Sequence, residues 1–452
     1  MFSAPTLLAD SVIGRLWRGM ATALPSITTG LTREGNHMHV VVIGGGIIGL
    51  TTAYHLVKEG ASVTLVDARE TGLGATDTNA GWLVPADSAP LTGPTVIWPV
   101  MKWMLQPDSP VYIKPTVKPD ELAFLLRMLS TCTSRAQRAG FAANLDFTRN
   151  TLRFFDEYRA DGMDFQLESQ GLLLAYKDKA NFEGLALLLY RELLERYGRA
   201  PTMLVGDAVR EFEPHLADSV YGGWYFPKER AVDPRALAGA LHKRLVELGV
   251  EIVEKAPIDR VDMVDGRVRS VASGRKVFTA DNYVLAAGAW SGQVSQKFGL
   301  DLPIRAGKGY AVDLEPMDLR CSINLGDANV AIASLNDRLR ACGTMEIAGL
   351  DEEINQIRVD AILRAPGEYF RDFVPPRVMP TAMAGMRPMS ADNLPIIGRL
   401  GTLRNAFVGT GHAMFGMTQA PATAEALTRL IVHDEFSPVL RPYASTRFHG
   451  GR

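Results

Sequence analysis

Three glycines at G-x-G-x-x-G spacing, Gly44, Gly46 and Gly49, interrupt the apolar run MHVVVIGGGIIGL at residues 38–50. Gly44 permits a tight turn, Gly46 lets backbone approach a pyrophosphate, and Gly49 allows a helix to pack closely on a strand. Asp67 follows at the distance of about 20 residues where a carboxylate takes hydrogen bonds from a ribose and disfavours a 2′-phosphate. The chemistry is that of a dinucleotide cradle, in which free N–H groups and the positive end of a helix dipole face the phosphates. A glycine-rich turn without a ligand is the competing reading. It is set aside only if strand, helix, strand and acid occur together.

They do. Val40, Val41, Val42 and Ile43 are β-branched and apolar, as a fully buried parallel strand requires. After Gly44-Gly45-Gly46, the segment opened by Ile47 and Ile48 has helical periodicity to Lys58, and Glu59-Gly60 closes it. Residues 62–66, SVTLV, form a second strand that ends at Asp67, with Ala68 and Arg69 beyond it. This unit alone does not separate FAD from NAD. Residues 71–85, TGLGATDTNAGWLVP, are small and polar, which lets backbone groups reach the edges of a flat ring system. Residues 283–291 read as a strand turning at Gly288, and 405–412 as a strand running into glycines, followed by a helix over 417–432. Residues 330–334 and 339–343 read as a strand pair joined across Asn336-Asp337. Residues 120–130 and 181–197 have helical periodicity, and Asp233 caps a further helix with Pro234 at its first position.

The chain of 452 residues calls for two or more domains. A formal charge of −2 offers no basic stripe, so nucleic acid is not an expected partner. Cys132, Cys321 and Cys342 are widely spaced, with no C-x-x-C and no histidine cluster, which argues against structural zinc or a disulfide framework and suits a reducing compartment; no metal site is expected. No run reaches the roughly 18–20 apolar residues of a membrane span. Residues 1–37 mix Arg15, Arg18 and Arg33 with Asp10 and Glu34 and lack a continuous apolar core, so they read as a disordered extension or an early start codon rather than a secretory signal.

In this order the motifs resemble the FAD-dependent D-amino-acid oxidase superfamily, with the nearest likeness to bacterial D-amino-acid dehydrogenases. The marks are the first glycine motif, Asn79-Ala80-Gly81, LAAGAWS at 285–291, Lys308-Gly309-Tyr310, GMRPMS at 385–390 and GTGH at 409–412. The resemblance runs from Met38 to about Phe448. It implies an α/β fold with an α+β substrate domain. A Rossmann-like FAD-binding domain would be assembled from the discontinuous segments 38–90, 206–305 and 385–452. An antiparallel-sheet substrate domain would come from 91–205 and 306–384. It also implies oxidative deamination of a small amino-acid substrate, with hydride passing from Cα to flavin N5 and electrons going on to a quinone or other acceptor. Dehydrogenation of D-hydroxyproline or D-proline, and oxidation of glycine or sarcosine, are close variants. A flavin domain acting on modified tRNA and a nicotinamide-linked dehydrogenase are the readings from other classes.

By the same resemblance Arg387 pairs with the substrate carboxylate, as a guanidinium fork does through two parallel hydrogen bonds. Tyr310 adds a hydroxyl to that carboxylate, lines the cavity, or merely packs. Ile258 contacts the adenine side, and Ala287, Gly288 and Trp290 lie along the cofactor. Gly411, His412, Gly416, Met417 and Thr418 present backbone N–H groups and a helix N-terminus to one flavin edge, an oxyanion-hole type of effect. His412 is read as a flavin contact rather than a general base. No cysteine falls in a covalent-attachment motif, so FAD is expected to be held noncovalently. Trp98, Met101, Trp103, Met104 and Tyr112 cluster with Lys102 and Lys114, a pattern suited to a membrane interface. An ordinary loop and helix packed on the flavin domain is the competing reading. The expected location is the cytoplasm, with peripheral contact at the inner face of the membrane.

Overall fold

The computed structural model describes residues 38–94, 100, 106–335 and 337–448. The expected extension over 1–37 lies outside them, as do Trp98, Met101, Lys102, Trp103 and Met104. The His39–Ile43 strand lies at the centre of a six-stranded sheet, between Ser62–Val66 and Asn282–Leu285. Glu251–Val253 extends this sheet on one side, and Ala406–Thr410 then Ile396–Arg399 extend it on the other. All pairings are parallel except the last, which is antiparallel.

A parallel strand covered on both faces must be apolar at every position. Val40 and Val42 pack into one core with the Ile47–Lys58, Pro234–Glu247 and Gly416–Val432 helices. Val41 and Ile43 pack into another, with Val271, Phe298 and Ile396. The alternation sends four successive residues to two cores. Asp233 accepts hydrogen bonds from the N–H groups of Arg235 and Ala236 and so caps the Pro234–Glu247 helix.

The second layer is a nine-stranded, mainly antiparallel sheet. Its order runs Met383–Ser390, Ile304–Leu314, Arg338–Ile347, Val330–Leu335, Ser322–Leu325, Leu172–Tyr176, Gly222–Phe226 and Thr202–Val205. Val111–Ile113 pairs in parallel with Arg338–Ile347. Two strands sit differently from the expected division of the chain. Gly222–Phe226, within the segment assigned to the cofactor domain, hydrogen-bonds to Leu172–Tyr176. Met383–Ser390, which spans the expected boundary at 385, pairs throughout with Ile304–Leu314. Strand partners are long-range contacts, so boundaries carried over from a resemblance fall only near them.

Candidate active site

The glycine motif has the geometry its spacing requires. Gly44 has φ +114°, and a Cβ there would lie 2.3 Å from the Ala286 carbonyl oxygen. A Cβ on Gly49 would lie 1.7 Å from the Gly44 carbonyl oxygen, so only glycine lets helix and strand cross here. Gly46 is the helix N-cap, and beside it the Ile47 N–H donates to Thr76 Oγ1 at 3.0 Å. Thr76 thus satisfies one of the helix's orphan donors, a role the small-residue composition of its loop did not reveal. Asp67 accepts from the N–H groups of Gly45 and Arg69 at 2.5 and 2.6 Å. Burial raises its carboxyl above the ordinary value, and these two hydrogen bonds act against that rise. The Arg69 guanidinium lies over the Trp290 ring at 4.4 Å and pairs with Glu352 at 2.8 Å.

From this cradle a cavity of about 1200 Å³ runs to the face of the nine-stranded sheet. Ile43, Gly44, Gly46, Ile47, Ile48, Asp67, Ala68, Arg69, Asn79, Ala80, Ile258, Ala287, Gly288 and Trp290 line it. Arg387, His412, Gly416 and Met417 lie on the same wall, so most of the sequence-derived candidates are brought together. The others back the wall. Val40, Val41 and Val42 are fully buried in the sheet. Gly45 receives the Gly72 N–H on its carbonyl, and Gly49 fills the helix crossing. Gly81 abuts the Val232 carbonyl, and Gly411 packs on Ile304 and Ile396. Thr418 Oγ1 takes the Val84 N–H at 2.9 Å.

Arg387 reaches from its strand across Gly309 and donates from Nη1 to the Thr344 carbonyl at 2.7 Å. A Cβ on Gly309 would fall 2.0 Å from that Nη1, so glycine is what lets the guanidinium lie there. Burial lowers the guanidinium's pKa from its ordinary value, but arginine remains a cation. Among the described residues no carboxylate pairs with Arg387. A cation enclosed in a cavity without a counterion is costly, and an anion entering the cavity removes that cost. Thr344, held at φ +67°, and Gly309 were not singled out as functional from sequence. The signal was present in Gly307-Lys308-Gly309, where two glycines two apart on a strand clear one face.

The same alternation corrects the expectation for Tyr310. It stands next to Gly309 and so points to the opposite face, where it is 1% exposed. Its hydroxyl donates to Glu346 Oε1 at 2.7 Å, and it does not line the cavity. Tyr310 therefore braces the sheet from behind, the packing alternative among its three readings. His412 is equally buried but on the cavity wall. Thr423 uses its hydroxyl hydrogen on the Gln419 carbonyl, so His412 Nε2–H donates to Thr423 Oγ1 at 2.9 Å. His412 Nδ1 is then an acceptor, and among the described residues it has no partner. Burial pulls the imidazole down to about 3, so it is neutral and a weak base near pH 7.

A family model described as FAD dependent oxidoreductase matches residues 39–430. The chain is 31% identical over 413 residues to a D-amino acid dehydrogenase of Bradyrhizobium diazoefficiens, covering 87% of this chain and 95% of that one. It is 29% identical to D-amino acid dehydrogenase 1 of Mesorhizobium japonicum, covering 87% and 96%. The fold is similar to glycine oxidase from Geobacillus kaustophilus, with a TM-score of 0.71 at 21% identity over 91% of this chain and 99% of that one. It is also similar to L-proline dehydrogenase from P. horikoshii, with a TM-score of 0.69 at 18% identity over 92% and 98%.

Proposed function

The chain belongs to the FAD-dependent oxidoreductase family, and from that premise we propose that it oxidises D-amino acids to 2-oxo acids and ammonia. The observation that carries this reading is Arg387, a cavity-facing cation without a carboxylate partner among the described residues. It supplies the handle for a substrate carboxylate at the end of the cavity away from the dinucleotide cradle. The residues present fit FAD. Gly44 and Gly46 leave the cradle wall bare of side chains, and His412 Nδ1 is a buried acceptor suited to a ligand N–H.

FAD supplies the two-electron acceptor for the hydrogen leaving Cα. The chain's own residues bind and orient. The Thr344 carbonyl fixes one edge of the Arg387 guanidinium and leaves the remaining donors for a carboxylate. Holding that carboxylate fixes the direction of the Cα–H bond, and alignment of this kind lowers the barrier by removing orientational freedom. The amine must be neutral, so that its lone pair forms the C=N bond as the hydride departs. The site contains no strong base at His412, which agrees with a step that needs alignment more than proton abstraction. Water then converts the imine to the 2-oxo acid and ammonia.

For the electron acceptor we favour a quinone reached at a membrane surface. The helix Pro119–Ser130 presents Leu122, Leu126 and Leu129 to solvent at 42, 67 and 50% exposure, and Val117 just before it is 91% exposed. Leu122 and Leu129 also line the cavity. Lys114 and Lys118 flank this apolar stripe and are exposed, as suits an anionic lipid surface. Tyr112 packs under the Arg358 guanidinium at 5.0 Å and is not part of the stripe.

The test is anaerobic mixing of the yellow holoenzyme with D-amino acids, L-amino acids, glycine and D-hydroxyproline. Bleaching by D-amino acids and not by their L-enantiomers is expected; bleaching by L-amino acids alone would overturn the reading. Arg387→Ala is expected to remain yellow and to lose carboxylate substrates by on the order of 100-fold in kcat/KM. Unchanged turnover would refute its role.

A further inference from the structure

The cavity contains a second charged group that the proposed oxidation leaves unused. Asp87 ends the short helical turn Pro85–Asp87 and lines the cavity. It is partly accessible, and no hydrogen bond or ion pair holds its carboxylate among the described residues. The nearby cation is already taken: Arg199 donates to Glu229 at 2.9 Å, and Glu229 also accepts the Ala86 N–H at 3.4 Å. Enclosure without a partner pushes the Asp87 carboxyl up to about 7, as expected of an acid waiting for a counterion.

The sheet register places Asp87 relative to Arg387. The Arg387 guanidinium lies against Thr344 on the Arg338–Ile347 strand. Asn324 and Ala331 are direct cross-strand partners and both line the cavity, so the Ser322–Leu325 and Val330–Leu335 strands form its floor. Leu174 pairs with Asn324 from the next strand and packs in one cluster with Val84 and Ala86. Tyr176 on that strand has its hydroxyl pushed up by burial and then by the Asp87 charge. Asp87 therefore sits over the Leu172–Tyr176 and Ser322–Leu325 strands. These lie two to three strand steps from Thr344, or about 10–14 Å at about 4.8 Å per step. A four-carbon side chain ending in an ammonium spans this distance once a hydrogen bond of about 2.8 Å is added at each end.

The geometry points to Asp87 as the specificity-determining residue of a side-chain subsite, which selects D-amino acids bearing a cationic group, with Asn324 beside it on the cavity floor. This rests on the D-amino-acid reading above and narrows its substrate class. A carboxylate enclosed in a cavity penalises an aliphatic side chain, which leaves it unpaired, and rewards an ammonium or guanidinium that neutralises it.

D-Lysine and D-norleucine share an unbranched four-carbon side chain and differ in the terminal ammonium, so they isolate this term. Anaerobic stopped-flow reduction of the holoenzyme should show a second-order rate constant for D-lysine higher than that for D-norleucine by on the order of 30-fold or more. In Asp87→Asn that ratio should collapse towards unity, and Asp87→Glu should retain part of it. Equal reduction of the wild type by both amino acids would overturn this inference while leaving the D-amino-acid reading standing. An equal loss on both substrates in Asp87→Asn would also overturn it, because it would place the carboxylate on the α-amine. No reduction by either amino acid would overturn this inference, and the D-amino-acid reading falls with it when the other D-amino acids of the panel also leave the flavin oxidised.

Discussion

At the residue scale, function here depends as much on side chains that are missing as on those present. Arg387 reaches the cavity only because Gly309 has no Cβ in its way. Gly309→Ala is expected to displace the guanidinium, lowering kcat/KM on amino acids at least tenfold, with flavin absorbance retained. Steady-state kinetics and a visible spectrum of the same preparation check both halves. His412 gives a pH signature. Its imidazole titrates near 6.5 when unfolded and at about 3 when folded, so the unfolded chain takes up the proton first. The stability it contributes is complete above 6.5 and is lost progressively as pH falls towards 3. His412→Gln should therefore flatten the acid side of the curve of Tm against pH over that window. His55, pulled down to about 4 by burial, keeps its own share of the slope. Asp87 and Glu229, both pushed up to about 7, act in the opposite sense as pH rises, and the difference between variant and wild type cancels them.

At the element scale, the loop over 71–81 must be held against the nine-stranded sheet for the cavity to keep its shape. Arg340 does this from a fully buried position. It grips Asp313 through Nε and Nη2 at 2.7 and 3.0 Å, and its Nη1 donates to the carbonyls of Asp77 and Asn79 at 2.6 and 3.2 Å. Arg340→Met would leave Asp313 under-paired and two carbonyls without their donor, a loss of about 3 kcal/mol or more. Chemical denaturation should show a lower midpoint, and FAD titration a weaker affinity. The loop's composition showed that it was small and polar, and so suited to a ring. Its anchor lies more than 250 residues away in sequence, at a position that local reading treats as one more strand residue.

At the scale of the whole molecule, the cavity links the dinucleotide cradle on the six-stranded sheet with Arg387, the proposed carboxylate handle, on the nine-stranded one. The helix Pro119–Ser130 contributes Leu122, Leu125, Met128 and Leu129 to the same cavity while showing an apolar stripe to solvent. If that stripe carries the protein to its acceptor, Val117→Glu with Leu126→Glu, two exposed positions that do not line the cavity, should reduce cosedimentation with anionic vesicles several-fold. Reduction of the flavin by substrate should persist in the same variant, and only electron transfer to a vesicle-borne quinone should fall.

The sequence alone determined the first βαβ unit and the positions of Gly44, Gly49 and Asp67, whereas the candidacy of Arg387 came from the family resemblance of its segment. The unit and its three residues are encoded locally: a continuous apolar run for a doubly covered strand, glycines where backbones cross, and an acid at a strand end. Only the tertiary structure decided which strands share a sheet, that Tyr310 turns its back on the cavity, and that Asp87 faces into it without a partner among the described residues. Those outcomes depend on the register between strands remote in sequence. A side chain's surroundings are set by that register, and a one-residue step along a strand reverses the face on which it lies.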